Sequence, residues 1–409
     1  MVARIDVEVC DKRTGGRFPG GGELNPTAPG DQNGPVPLRA LALITLAAFL
    51  ALTGCGGGTE QGAPNESRAA TSTRLHRIGE AEMVAGKSGW ARLGLGLYWT
   101  DDGGGQWRQI TPPLHDPVDL RGAYFRDRRH GWALAEEGSE GAERQAIFST
   151  ANGGRSWLRT PLRIQRPLLQ AASVSFSALD DRRVFALIKR SGDTASNFGA
   201  LFFSGDGGRT WRQISPYPPQ AGEIVFESRR HGWLASGFPA AKIWRTHDGG
   251  RHWTEVALPT HLGSELDDVV ALAPRIDAAG HGLLPAVLVA HRPRDTVAVV
   301  YSTQDRGRHW APVARTPLRV GGYIDPATVF SFQGPDRVLV VNPRTHRTFT
   351  VSRRGAELPR RIRHLPLGAR LSFSGPRFGF ALSPFGRPPV LMFSASGGVG
   401  WTPISRKPG

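Results

Sequence analysis

The stretch TDDGGGQW at residues 100–107 is the first copy of a Ser/Thr-x-Asp-x-Gly-x-x-Trp phrase that decides how this 409-residue chain folds. Further copies lie at residues 150–157, 204–211, 246–253, 303–310 and 394–401. Two of them have lost the acid, with Asn152 and Ser396 in its place. Because a phrase that returns after roughly 50 residues is typical of repeat proteins with one four-stranded sheet per repeat, the spacing predicts a β-propeller.

Each copy of the phrase lies between two short apolar runs, which predicts two strands joined by a tight turn. The acid can accept hydrogen bonds from turn amides, and the glycines allow positive φ. The tryptophan is large enough to fill the space between neighbouring repeats, so we assign it to packing. These structural positions are Asp102, Asn152, Asp206, Asp248 and Asp305 for the acid, and Trp107, Trp157, Trp211, Trp253 and Trp310 for the indole.

A second element precedes each phrase and reads Gly-Trp-Ala or a close variant, as at residues 131–134 and 232–234. A further apolar run precedes that element, so each repeat supplies four strands, which is one blade. The interval from Asp305 to Ser396 is about twice the others, which indicates that one blade has lost its phrase. The sequence therefore predicts an all-β chain with seven blades at 79–405, or six if residues 325–367 are an insertion.

The phrase resembles the Asp-box, or BNR repeat, of sialidases, sortilin-type receptors and many secreted bacterial propellers. The longer pattern of Gly-Trp-Ala-Leu followed by Phe-x-Ser-x-Asp-Gly-Gly-x-Thr-Trp resembles the propellers of the photosystem II stability and assembly factor type. That resemblance covers most of the chain, and it implies a noncatalytic scaffold that binds a protein client partly through a basic surface. The N-terminal segment differs from the photosynthetic proteins, so we expect an envelope binding or assembly role.

The N-terminal segment contains an apolar run at residues 40–52 that ends in Leu52-Thr53-Gly54-Cys55. This ending resembles the bacterial lipobox, which implies cleavage before Cys55 and acylation of its sulfur. The run is short for a membrane-spanning helix, although a single-pass anchor is the alternative. We therefore predict a leader at 1–54, a flexible tether at 55–78 and a propeller at 79–409. The protein would be lipid-anchored in the cell envelope, outside the plasma membrane or in the outer membrane.

The composition limits the chemistry of the propeller. Cys10 and Cys55 are the two cysteines, so the predicted propeller can form no disulfide and has no thiol nucleophile. The formal net charge is +16, carried mainly by arginine, which binds carboxylate and phosphate with a planar fork. The charge predicts an anionic partner, either a protein or an envelope ligand, although solubility alone would also explain it. Export and the lack of a basic groove with aromatic residues argue against nucleic acid.

An exo-glycosidase of the sialidase kind is the alternative function. Resemblance to that family would require an Arg-Ile-Pro element, three arginines around a carboxylate and a tyrosine nucleophile with a Glu partner. Residues 77–79 read Arg-Ile-Gly, without the proline, and Tyr323 with Asp325 is the best remaining pair. Carboxylates and arginines that converge at the channel mouth would favour a hydrolase, and a channel without them would favour a scaffold.

One position of the phrase is basic in four copies, at Arg155, Arg209, Arg251 and Arg308. Equivalent positions of a propeller lie on one ring, so we predict a basic arc that contacts anionic lipid or an acidic protein, unless these are exposed turn residues without a shared role. The Arg-Arg-His runs at 128–130 and 229–231 are expected on another loop face. His252 and His309 lack the spacing of metal ligands, and we predict no metal, no cofactor and a monomer.

Overall fold

A computed structural model of the chain describes residues 78–114, 118–138, 144–164, 171–190, 199–215, 217–238, 242–260, 266–292, 295–320, 324–383 and 389–405. These residues form a seven-bladed β-propeller of small antiparallel sheets, with essentially no helix. The predicted leader and Cys55 lie outside the described residues, as does the predicted tether up to residue 77. In the part of the chain that the structure describes, no helix is long and apolar enough to cross a membrane.

Each blade is built from consecutive strands that pair in chain order. Blade 1 contains β1 (Ile78–Ala85), β2 (Ser88–Leu93), β3 (Gly96–Thr100) and β4 (Arg108–Gln109); blade 2 contains β5 (Val118–Phe125), β6 (Gly131–Glu137), β7 (Arg144–Thr150) and β8 (Leu158–Pro161). Blade 3 contains β9 (Ala171–Ala178), β10 (Val184–Arg190), β11 (Gly199–Ser204) and β12 (Arg212–Ser215); blade 4 contains β13 (Ala221–Phe226), β14 (Gly232–Phe238), β15 (Trp244–Thr246) and β16 (Thr254–Glu255).

Blades 5 and 6 each carry one additional short strand. Blade 5 contains β17 (Leu266–Ala271), β18 (Arg275–Ile276), β19 (Gly282–Ala290), β20 (Val297–Thr303) and β21 (Ala311–Pro317). Blade 6 contains β22 (Phe330–Phe332), β23 (Arg337–Asn342), β24 (Arg347–Ser352), β25 (Gly355–Ala356) and β26 (Arg360–Arg361), after a 3₁₀ turn at Pro326–Thr328. Blade 7 contains β27 (Arg370–Phe373), β28 (Gly379–Ser383), β29 (Val390–Ser394) and β30 (Thr402–Pro403).

The strand assignment confirms seven blades and shows that the six-blade alternative is wrong. Residues 330–361 pair as a complete sheet, so the 325–367 segment is blade 6 and not an insertion. The 3₁₀ turn at Pro326–Thr328 leads into β22, and its N-cap Asp325 accepts from the amide of Ala327. The phrase therefore marks six of the seven blades, and blade 6 is recognised by its apolar strands alone.

The hydrophobic core is divided among the junctions between neighbouring blades. Each junction has its own buried cluster, and the cluster that joins blade 7 to blade 1 contains Met83, Ala91, Phe380 and Leu382. Six further clusters join blades 1 to 7 in succession. Since every sheet is apolar on both faces, neither face can be left in water, and the seven junctions close a ring.

The tryptophan of each phrase packs at the junction with the preceding blade. Trp107, Trp157, Trp211 and Trp253 are half-buried there, and Trp310 and Trp401 are buried. Each of them immediately precedes the outermost strand of its blade rather than starting it. These contacts place the indoles between neighbouring sheets.

The first strand of each blade lies next to the channel, where its outer edge has no neighbouring strand. Serine hydroxyls from adjacent blades satisfy amides on these edges, because an unpaired edge amide inside the protein is costly. The amides of Ile224 and Phe226 donate to Ser175 Oγ and Ser177 Oγ at 3.0 and 2.8 Å. At the closure of the ring, Met83 N donates to Ser372 Oγ at 3.0 Å. Hydrogen bonds therefore supplement apolar packing between blades.

Candidate functional site

The turn in blade 5 shows how the phrase determines its own geometry. Thr303 Oγ1 donates to Asp305 Oδ1 at 2.8 Å and accepts from Gly307 N at 2.9 Å. The same carboxylate oxygen accepts from the amides of Arg308 and His309 at 2.9 and 3.0 Å. The first and third positions of the phrase therefore satisfy the turn amides, which frees the Arg308 side chain from any role in the turn.

The residue before the tryptophan also bonds to the turn acid, which sequence reasoning missed. His309 Nδ1 lies 2.5 Å from Asp305 Oδ2, and His252 Nδ1 lies 2.6 Å from Asp248 Oδ2. In blade 3, Thr210 Oγ1 donates to Asp206 Oδ2 at 2.6 Å. The recurrence of a hydroxyl or imidazole at this position is the signal that could have revealed it.

The turn carboxylates are held in the ionised form. For Asp248, partial burial would raise the pKa, but donors from His252, Thr246 and Arg251 lower it to about 2. The amide of His309 is the main cause that keeps the pKa of Asp305 far below its usual range. Partial burial opposes the donors at Asp102 as well, and the pKa of that carboxyl is again lowered. These acids are therefore used as local hydrogen-bond acceptors and not as proton donors.

A backbone hydrogen bond joins each phrase to the loop between the first and second strands of the same blade. In blade 2, Gly153 N donates to Arg129 O at 2.8 Å, and in blade 4, Gly249 N donates to Arg230 O at 2.8 Å. A Cβ on Gly153 would lie 2.6 Å from the Arg128 carbonyl oxygen, so only glycine allows this approach. The same bond forms in blades 1, 3, 5 and 7, between Gly103 and Lys87, Gly207 and Arg182, Arg306 and Gly280, and Gly397 and Arg377.

These bonds place both kinds of loop on one side of the propeller, which we call the turn face. The expectation that the runs at 128–130 and 229–231 lie on another face is wrong, because the carbonyls of Arg129 and Arg230 accept directly from the phrase glycines. The other side, which carries the loops between second and third strands, is called the opposite face. The arginines of the phrases and those of the 128–130 and 229–231 runs therefore lie on the same face, although the sequence had suggested two faces.

The four arginines of the predicted arc are all exposed on the turn face, in blades 2 to 5. Arg251 donates to Asp248 O at 2.7 Å, so it is partly engaged by its own turn. Arg155, Arg209 and Arg308 form no ion pair with any described residue. The pKa of Arg245 is lowered mainly by burial and also by repulsion from Arg308. Positive charge therefore accumulates near the junction of blades 4 and 5. All four side chains lie on one face of the propeller.

Ionisable groups from several blades converge on the central channel. The pKa of Glu82, on β1, is raised to about 7, first by burial and then by repulsion from Glu80 and Glu223. Arg370 and Arg275, from blades 7 and 5, act on the same carboxylate in the opposite direction. Groups from blades 1, 4, 5 and 7 can interact in this way only near the axis. The Glu82 side chain is exposed to solvent in the channel, and the protein around the channel disfavours its charge.

Most of the channel charges are already paired with one another. Arg92 Nε lies 3.4 Å from Glu80 Oε2, and Lys189 Nζ lies 2.5 Å from Glu223 Oε1. These contacts use two of the three channel glutamates. Burial and the charge of Glu82 raise the pKa of the Tyr124 phenol to about 12. The channel therefore contains carboxylates and arginines, as expected for a hydrolase. Of the three channel glutamates, Glu82 is the one that forms no salt bridge with a described residue.

Only one member of the pair suggested by the sequence, Asp325, lies within the described residues. Tyr323 lies outside the described residues. Asp325 forms an ion pair with Arg370, with Nε 2.5 Å from Oδ2. Among the described residues, no group of three or more His, Cys, Asp or Glu side chains is placed to hold a metal ion. His252 and His309 are bound to turn acids.

No family model matches the chain. Over 158 residues it is 24% identical to the photosystem II assembly lipoprotein Ycf48 of Synechococcus sp. (strain CC9902), and this stretch covers 36% of the chain and 42% of that protein. The chain thus spans less than half the length of that curated relative. The solved structure of YCF48 from Cyanidioschyzon merolae is 18% identical, with 72% of this chain and 88% of that chain covered and a TM-score of 0.42.

Two further solved structures are similar to the chain. YCF48 bound to D1 peptide is 16% identical, with 72% of this chain and 86% of that chain covered and a TM-score of 0.39. Prolyl oligopeptidase B from Galerina marginata is 9% identical, with 80% of this chain and 50% of that chain covered and a TM-score of 0.50. At these identities, the similarity to solved structures concerns the fold alone.

Proposed function

We propose that this chain is a noncatalytic binding or assembly scaffold whose turn face binds an acidic segment of a protein partner in the cell envelope. The observation that carries the proposal is that the acid and the arginine of the phrase have different roles. Its third residue, an aspartate or Asn152, accepts hydrogen bonds from turn amides. Its arginine is exposed on the same turn and has no ion-pair partner among the described residues at Arg155, Arg209 and Arg308. A row of such guanidinium groups suits carboxylates of a partner chain.

The loops that join first and second strands extend this basic surface. Arg182 and Arg230 lie in those loops beside the phrases of blades 3 and 4, and they form no ion pair with a described residue. Arg183, in contrast, is paired with Asp180. A partner with several acidic residues would therefore meet cations across neighbouring blades. Its association would depend strongly on salt, because exposed charges are screened within about 8 Å at physiological ionic strength.

The similarity to a curated assembly lipoprotein supports a scaffold role and an anchored position. The name of that relative describes assembly and lipid attachment. At 24% identity over part of the chain, both properties are proposals for this protein. Acylation of Cys55 remains our proposal, based on the residues that precede it. Replacing Cys55 with alanine should release the protein from membranes and abolish incorporation of labelled palmitate. Labelling that persists in this variant would contradict the proposed anchor.

The test of the scaffold proposal is crosslinking and affinity capture from membranes with a four-site variant in which Arg155, Arg209, Arg251 and Arg308 become glutamate. We expect the unmodified protein to capture a partner that elutes with salt, and the variant to lose it. Arg144→Glu, exposed at the start of β7 on the opposite face, is the control that should still capture it. Equal capture by all three proteins would reject the turn face as the binding surface.

The glycosidase alternative rests on the channel cluster, which is the arrangement expected of a hydrolase. Two findings weigh against it. The pKa of Tyr124 is raised, which is the wrong direction for a nucleophile, and Glu80 and Glu223 already bind cations. We therefore expect no hydrolysis of a fluorogenic sialoside or related glycoside. Turnover that disappears in Glu82→Gln would instead assign the channel as an active site.

A further inference from the structure

Blade 6 ends differently from the other blades. It has no phrase tryptophan, and after the short β25 the chain forms β26, which pairs with the beginning of β24. In this register Arg361 lies directly opposite Arg347, and Arg360 lies opposite Thr348. Ile362 N donates to His346 O at 2.8 Å, which fixes the added strand at the end of the sheet. Two arginines are thus held as direct neighbours across two strands.

The cavity beside these arginines has a volume of about 600 Å³ and opens to solvent. Its walls contain three cationic or titratable side chains and no carboxylate. They are formed by Thr345, His346, Arg347, Pro359, Arg361 and Ile362. The cavity lies away from the channel cluster and away from the turn face, because residues 343–346 join β23 to β24 at the opposite face. It is therefore a separate place on the molecule.

A like-charge pair at this position is unfavourable unless something neutralises it. Cβ atoms of directly opposed residues are about 4.5–5.5 Å apart, and like charges there destabilise a sheet. Neither Arg347 nor Arg361 has an ion-pair partner among the described residues. After Asp336 the sequence contains a single acidic residue, Glu357, and that side chain pairs with Arg337. The residues that the structure describes thus supply no anion to this pair.

The backbone of His346 also carries strain. Its φ is 49°, in the left-handed region that a residue with a side chain seldom adopts. The bond from Ile362 N to His346 O holds this conformation and keeps residue 346 on the wall of the cavity. The left-handed conformation of His346 thus fixes the shape of the β23–β24 turn beside the two arginines.

We propose that the blade 6 cavity, defined by Arg347, Arg361 and His346, binds a phosphate or phosphodiester group. Two planar guanidinium groups on the same side of a sheet can form parallel hydrogen bonds to phosphate oxygens, and the bound anion removes their mutual repulsion. The group could belong to a soluble phosphate or to an anionic phospholipid. The opposite face is also where β1 begins at Ile78, so the chain enters the propeller on the side of this cavity.

The test uses the full-length chain with Cys55→Ala, so that no acyl chain contributes, and inorganic phosphate and pyrophosphate as probes. We expect the melting temperature to rise with either anion in a saturable manner. Arg361→Glu should abolish this rise and should also melt higher than the parent without anion, because the like-charge pair becomes an opposite-charge pair. Arg361→Gln should weaken anion binding about tenfold or more, the loss of a charge-assisted contact. Arg212→Glu, on β12, should respond like the parent.

Vesicles distinguish the two sources of the phosphate group. If a lipid supplies it, the parent should bind vesicles of phosphatidylcholine with phosphatidylglycerol, and both Arg361→Glu and added pyrophosphate should remove that binding. If Arg361→Glu loses the response to phosphate but binds these vesicles like the parent, the cavity serves a soluble anion. The proposal is overturned if parent and Arg361→Glu respond equally to phosphate and pyrophosphate, or if neither responds. The turn-face arginines are intact throughout, so this result is independent of the proposed scaffold function.

Discussion

The indole of Trp310 packs edge to face against the indole of Trp233, with ring centroids 5.9 Å apart and an interplanar angle of 76°. The two residues belong to blades 5 and 4, so the contact joins neighbouring sheets. Trp310 and Trp233 are both buried, and Gly307 approaches the Trp233 ring closely in the same junction. The phrase tryptophan therefore acts as a wedge between blades.

Trp310→Ala should lower the free energy of unfolding by about 3–5 kcal/mol, because it leaves a large cavity at the junction of blades 4 and 5. Trp310→Phe should cost much less, since Trp310 Nε1 is buried without a hydrogen-bond partner and its removal ends that penalty. Trp157→Phe is the control: it removes a bond from Nε1 to Ile110 O at 2.9 Å and should cost more than Trp310→Phe. Denaturant unfolding measures all three, and equal costs for the two Phe variants would contradict this account.

Exchange of the turn acid should have opposite effects in blades 2 and 5. Asn152 accepts from Ser156 N at 2.9 Å as a neutral amide, so Asn152→Asp should strengthen the turn by roughly 0.5–1 kcal/mol at neutral pH. Asp305→Asn should weaken its turn by a similar amount. The pKa of Asp305 is lowered by folding, so its contribution is present above the unfolded pKa near 4 and is lost as pH falls through the lower folded pKa. Thermal unfolding of each variant at pH 7 and pH 2 checks this. If Asn152→Asp were as much more stable than the parent at pH 2 as at pH 7, the prediction would be contradicted.

Ser177→Ala should expose one edge amide without an acceptor. Phe226 N would lose its bond to Ser177 Oγ, at a cost of about 1–3 kcal/mol for a buried donor left unpaired. Hydrogen exchange should accelerate at the Phe226 amide. Ser175→Ala should accelerate exchange at Ile224 instead, because that amide donates to Ser175 Oγ. Exchange that rises equally at both amides in either variant would show that the serines do not act one by one.

Glu82→Gln should make stability less dependent on pH. The pKa of Glu82 is raised to about 7 by folding, so the protonated form stabilises the protein fully below its unfolded value of 4.5, and this contribution is lost as pH rises through 7. Because the side chain touches solvent in the channel, we discount the effect to about 1 kcal/mol. The melting temperature of Glu82→Gln minus that of the parent should increase from pH 5 to pH 8. A difference that is constant over this range would contradict a raised pKa.

The repeat structure was predictable because its signals are local. The phrase at residues 303–310 contains the acceptor, the glycine and the tryptophan of one turn, and all of their contacts lie within one hairpin or its immediate neighbours. Blade 6 was predictable for a different reason, since its strands at 337–342 and 347–352 keep their apolar character without the phrase. Period and patterning together favoured seven blades and left six open, and the strand pairing of blade 6 decided between them.

The arrangement of charges needed the tertiary structure. Nothing near Arg129 in the sequence shows that its carbonyl accepts from Gly153, and that bond places two sets of arginines on one face. Glu82 and Arg275 lie in blades 1 and 5, and only closure of the ring brings them to one channel. Arg347 and Arg361 become neighbours only through the register of a two-residue strand. Short-range hydrogen bonds and periodic burial thus determined the blades from sequence, whereas contacts between distant segments depend on how the sheets close and pair, which only the folded chain decides.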